Sequence, residues 1–81
     1  MAKRIRKVSR RDAKLNQRIG RRIRQERLRR NLTLQQVADR AGMSPSQLSQ
    51  VELGKNAASI VALVRIAKAL GLRISKLLSD V

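Results

Sequence analysis

Between Thr33 and Lys55 the chain spells out the start and stop of a helix twice in succession, and nothing else in it constrains the fold so tightly. Thr33 with Gln36 three residues on is a capping box, in which the two side chains satisfy amides at a helix start. Leu34, Val37, Ala38 and Ala41 then repeat at helical spacing, and Gly42 ends the run. Ser44 opens a second box with Gln47, Pro45 suits the first helical position, and Met43 can staple onto Leu48. Leu48 and Val51 face inward, and Gly54 stops this helix. The stretch therefore predicts two short helices joined by a tight turn. The outer face of the second carries only Ser46, Gln47, Ser49 and Gln50, although the chain has 20 Lys/Arg and 5 Asp/Glu. A face that excludes charge from so basic a protein is suited to hydrogen bonding, and base edges in a DNA major groove offer such partners.

The flanking sequence extends the helical pattern. Leu15, Ile19 and Ile23 at i, i+4, i+8 predict a helix from Leu15, with Leu28 widening its buried face. Asn31 stands where a left-handed residue closes a helix, and Leu32 turns the connection inward. Ser59 caps a fourth helix with an inner stripe of Ile60, Leu63, Ala67 and Leu70, thickened by Val64 and Ile66 and stopped by Gly71. A short fifth helix runs from roughly Ile74 to Ser79. No alternation of strand type is present, so the expected class is all-α, a compact five-helix bundle. A chain of 81 residues makes one domain. The expected division is a flexible basic arm over 1–14 and a helical domain over 15–79, with the helix-turn-helix at about 34–53.

Charge is unevenly placed. Residues 1–30 hold 14 Lys/Arg against Asp12 and Glu26, whereas residues 31–81 hold 6 against Asp39, Glu52 and Asp80. An arm bearing Lys3, Arg4, Arg6, Lys7, Arg10 and Arg11 seeks polyanions. Ile5 and Val8 alone give it no wide apolar face for a membrane surface. The stretch Ala57–Val64 falls far short of the roughly 20 residues that span a bilayer. The total absence of Phe, Tyr and Trp counts against single strands, which are usually held by stacking. Duplex DNA gripped by its phosphates fits better. With no His, no Cys and five scattered acids, no acid/base pair, metal site or nucleophile is expected, hence no enzyme and no cofactor. A basic start without an apolar segment after it fits a cytoplasmic protein.

The sequence resembles the Cro/repressor type of helix-turn-helix, the lambda-repressor-like or xenobiotic-response-element family. The likeness covers about Ile19 to Leu78 and is closest in IGRRIRQERLRRNLTLQQVADRAGMSPSQLSQVELGK and SIVALVRIAKALGLRISKLL. The Gly42 turn, Ser44-Pro45, Gln50-Val51-Glu52, Gly54-Lys55 and the run Ala67 to Gly71 all fall in register. The resemblance implies that the third helix enters the major groove while the second crosses the backbone. It assigns base contacts to Ser44, Ser46, Gln47 and Gln50, the last three of them on the face already chosen by chemistry, with Pro45 reaching at most a thymine methyl. It places Thr33, the amides of Leu34 and Gln35, and the side chains of Gln35, Lys55 and Asn56 against phosphates. It also pairs Arg27 with Glu52 to orient the recognition helix. Arg73, Ala58 and Asn31 depart from the residues usual at their positions, and Arg73 leaves the last helix without a side-chain cap.

Three functional classes remain open at this level: a sequence-specific duplex-DNA regulator, an antitoxin-like protein-interaction module, and an architectural binder with little sequence preference. Leu72, Ile74, Leu77, Leu78 and Val81 form an apolar end that either closes the core or makes a two-fold homodimer contact.

Overall fold

The computed structural model describes residues 10–79 of the chain. Five helices follow in order, with no strand among the described residues: α1 (Arg10–Arg29), α2 (Leu34–Ala41), α3 (Pro45–Glu52), α4 (Ile60–Ala69) and α5 (Ile74–Leu77). Both capping boxes form. Thr33 Oγ1 accepts from the Gln36 amide at 3.0 Å while the Thr33 amide donates to Gln36 Oε1 at 2.9 Å. The Ser44–Gln47 pair repeats this at 3.0 and 2.9 Å. Ser59 Oγ accepts from the Ala62 amide at the head of α4, whereas Arg73 gives α5 no side-chain cap. Asn31 takes the expected left-handed conformation at φ 56°.

Ile23, Val37, Ala38, Leu48, Ile66, Ala67 and Leu77 are sealed from solvent at the centre of the core. α2 packs on α4 and α3, and α1 lies over α3 and α5. The apolar end resolves towards core closure. Leu77 is fully enclosed, so it offers nothing to a second copy, and Leu72, Ile74 and Leu78 pack against the same cluster. Val81 lies outside the described residues.

Several expectations are corrected. α1 begins at Arg10 rather than Leu15, so Arg10 to Lys14 belong to a helix and not to an arm. Arg, Ala and Lys are good helix formers, and Asp12 in the first turn faces the positive end of the helix dipole. Lys3, Arg4, Arg6 and Lys7 lie outside the described residues. Leu28 does not widen the buried face: it is 51% exposed, because five residues past Ile23 is about 140° round the helix. Leu15, about 80° from Ile23, is also largely exposed. Ile60 continues the spacing of the α4 stripe but sits in its first turn, where no neighbour covers it. α5 ends at Leu77, two residues short of the expected limit.

Glu26 is a feature that the sequence reading passed over. Its carboxylate is 3% exposed and takes Arg30 Nη1 at 2.6 Å, Arg29 Nη1 at 3.2 Å and Arg22 Nε at 3.2 Å. Arg22 also donates to the Ser79 and Lys76 carbonyls, tying α1 to the end of the fold. The spacings i−4, i+3 and i+4 around Glu26 are the signal that could have revealed it. The Arg30 hydrogen bond, partly opposed by burial, holds this carboxyl below its ordinary range. A depressed carboxyl stabilises the fold above its unfolded value near 4.5, and this contribution is lost as pH falls through the folded value. Glu26→Gln is expected to cost about 1–2 kcal/mol at pH 7, and much less at pH 3. Urea unfolding of both chains at the two pH values measures the difference.

Candidate nucleic-acid interface

α2 and α3 present their N-terminal ends and outer faces to solvent, and the residues expected to meet DNA fall into three groups there. The first lies at the head of α2. A helix leaves its first amides unpaired; the box satisfies Gln36, while the Leu34 and Gln35 amides have no acceptor among the described residues. These two donors are free for an anion, with exposed Thr33 holding the turn in place. The Gln35 side chain is partly committed, since its Nε2 donates to Asp39 Oδ1 at 2.7 Å.

The second group is the outer face of α3. Ser46 and Gln50, four residues apart, share one side of the helix with Ser49 and Leu53. Ser46 is exposed and Gln50 half-buried, and neither side chain has a hydrogen-bond partner in the fold. Ser44 and Gln47 differ, because their box occupies Gln47 Oε1 and Ser44 Oγ as acceptors. Gln47 keeps its Nε2 donor and Ser44 its hydroxyl proton, and each oxygen keeps one lone pair beyond the box. Pro45 is half-buried at the first helical position.

The third group is the loop after α3. The amides of Lys55 and Asn56 both donate to the Gln50 carbonyl, at 3.0 and 3.4 Å. This fork starts two exposed side chains beside the last turn of α3. Leu34 of the first group and Ser49 of α3 wall one cleft, and Gln47 of the second group and Asn56 of the third line another.

What fixes α3 relative to α1 is buried behind this surface. Arg27 Nε and Nη2 donate to the two Glu52 oxygens at 2.7 and 3.0 Å, and Nη1 reaches the Leu32 carbonyl at 2.9 Å. The Glu52 hydrogen bonds raise the Arg27 pKa above its ordinary value, so the guanidinium stays charged. Gly20 lets the helices approach closely enough for this pair. A Cβ built on Gly20 would lie 2.3 Å from the Val51 carbonyl oxygen and 2.5 Å from that of Glu52. One turn earlier, Gln17 presses on Gly54, whose φ is +76°. Sequence reading named Gly54 as a stop and did not single out Gly20.

Among the described residues no group of acidic side chains could hold a metal ion, and no helix is long and apolar enough to cross a membrane.

A helix-turn-helix family model, HTH_3, matches residues 23–77, more than half of the chain. The chain belongs to the HTH_3 helix-turn-helix family. Membership carries the coarse function with it: this is a DNA-binding domain of the transcription-regulator type. The clp gene regulator ClgR from Corynebacterium glutamicum is 30% identical, with a TM-score of 0.77 over 79% of this chain and 68% of that one. The restriction-modification controller protein C.AhdI from Aeromonas hydrophila is 27% identical, with a TM-score of 0.75 over 76% of this chain and 94% of that one. An HTH_3 family transcriptional regulator from Vibrio cholerae is 28% identical at a TM-score of 0.79, covering 85% of this chain and 39% of its own. All three bear the name of a regulator or controller protein. No curated protein matches the chain.

Proposed function

We propose that this HTH_3 protein is a sequence-specific, double-stranded DNA-binding transcriptional regulator that lays α3 in the major groove. The observation that carries the reading is the uncharged stripe of Ser46 and Gln50 on α3, left unpaired in a chain of net charge +15. Donors suited to phosphate lie on both sides of it, the Leu34 and Gln35 amides and the Lys55 and Asn56 side chains. Thr33 and Gln35 complete the first set.

The hydrogen-bond inventory divides the readers by chemistry. Gln50 keeps both its carbonyl and its amide, so it can meet adenine bidentately at N6 and N7. Gln47 and Ser44 keep their donors in full while the box takes up part of their acceptor capacity, which suits acceptors such as guanine O6 or thymine O4. Ser46 can do either, and Pro45 offers only apolar contact. Affinity without sequence information comes from the N-terminal basic residues, in proportion to the phosphates they neutralise. So short a list of base contacts gains selectivity from a homodimer on a two-fold site, where half-site spacing is read as well. A protein with this role works in the cytoplasm, on the chromosome.

Gln50→Ala is expected to lower the preference for the cognate duplex by about 5- to 100-fold while leaving affinity for unrelated duplexes unchanged. Competition titrations at physiological salt read both quantities. An unchanged preference would remove α3 as the reader.

A further inference from the structure

The cations of α1 are not equivalent. Arg22, Arg29 and Arg30 surround Glu26, and Arg27 is committed to Glu52. Among the described residues of α1, Lys14, Arg18, Arg21 and Arg24 have no ion pair. Of these four, Arg24 alone lines a cleft between α1 and the recognition helix. The cleft, about 250 Å³, is walled by Arg24, Arg27, Leu34, Ser49, Glu52 and Leu53.

We propose that this cleft seats a phosphodiester of the DNA backbone, with Arg24 as its cation and the Ser49 hydroxyl as a second donor. The inference rests on the DNA-binding reading above and extends its contact surface onto α1. Three observations support a sugar-phosphate occupant. First, the back wall is neutral: Arg27 and Glu52 cancel each other at 2.7 Å, so the cleft's net charge is that of Arg24. Second, Ser49 of α3 and its C-cap Leu53 continue the stripe of Ser46 and Gln50, at i, i+3, i+4, i+7, so the cleft opens at the edge of the reading face. Leu53 is about 4.5 Å along the axis from Gln50, so a strand bordering the groove that Gln50 reads passes there. Third, the cleft is of mixed character. Leu53, a 55% exposed leucine that the core does not need, and Leu34 offer an apolar wall for deoxyribose, while the guanidinium fork suits two phosphate oxygens.

The test compares Arg24→Ala, Arg24→Lys and Arg21→Ala in the full chain, with duplex affinity titrated from low to physiological salt. Arg21 is the control: a cation of the same helix, exposed, unpaired and outside the cleft. Arg24→Ala is expected to weaken binding about tenfold on cognate and unrelated duplexes alike. It should also flatten the plot of log affinity against log salt by about one. Arg24→Lys should keep the salt slope, and Arg21→Ala should change affinity much less. Thermal unfolding should be the same for all four chains, because Arg24 makes no contact that the fold depends on. Equal losses for Arg24→Ala and Arg21→Ala would overturn the cleft and leave the DNA-binding reading standing. A parent chain that binds no duplex would overturn both.

Discussion

Gly20→Ala is expected to unfold about 8–20 °C below the parent chain. The sign is not obvious, because alanine in a helix interior is ordinarily better than glycine by about 1 kcal/mol. Here the new methyl would meet the Val51 and Glu52 carbonyl oxygens at 2.3 and 2.5 Å. These are backbone atoms at the end of α3, and they cannot rotate aside as a side chain would. Relief requires α1 to lift from α3, which loosens the Ile23 packing and stretches the Arg27–Glu52 pair together. Overpacking of this kind costs about 1–3 kcal/mol and occasionally more, so the clash outweighs the gain in propensity. Urea or thermal unfolding checks it. A Tm equal to or above the parent's would show that the two helices do not approach as closely as described.

The second large effect belongs to Glu52. Its truncation to alanine leaves Arg27, 8% exposed, as a buried guanidinium with only the Leu32 carbonyl for a partner. Breaking a buried pair costs about 3–5 kcal/mol, against a total of about 4–12 kcal/mol for a domain of this size. Glu52→Ala is therefore expected to be partly unfolded at 25 °C. The cost lies in the orphaned charge rather than in the value of the pair, so replacing both residues with apolar ones should recover much of the loss. A double-mutant cycle on unfolding free energies measures this. A loss below about 1 kcal/mol for Glu52→Ala would mean that the pair does not fix α3 against α1. Removing the pair with stability restored is also expected to weaken site preference, because α3 loses the tie that sets its angle.

The helix boundaries of α2 and α3 were legible because their signals are local. Thr33 with Gln36, and Ser44 with Gln47, close their boxes within one turn, and Asn31 adopts its left-handed turn without help from distant residues. The exposed, uncharged outer face of α3 was legible for the same reason. Arg27–Glu52 was reached through resemblance, since nothing local links residues 25 positions apart. Gly20 was missed because its role is set by α3 carbonyls that no spacing in the sequence brings near. The start of α1 was misplaced because a run of cations reads equally as a solvated arm or as a helix, and Asp12 and Ala13 tip it towards helix. Charge totals misled in another way. They do not show which cations are already paired, and the fold turns Arg22, Arg29 and Arg30 onto Glu26 and Arg27 onto Glu52.

That accounting leaves discrimination to a few uncharged groups on α3, and the most direct measurement is selection of bound duplexes from a random library by the full chain at physiological salt. The expected result is an enriched two-fold site whose half-sites lose one base preference when the selection is repeated with Gln50→Ala. A library that emerges without an enriched sequence would contradict sequence-specific reading by α3 and leave a binder of duplex backbone alone.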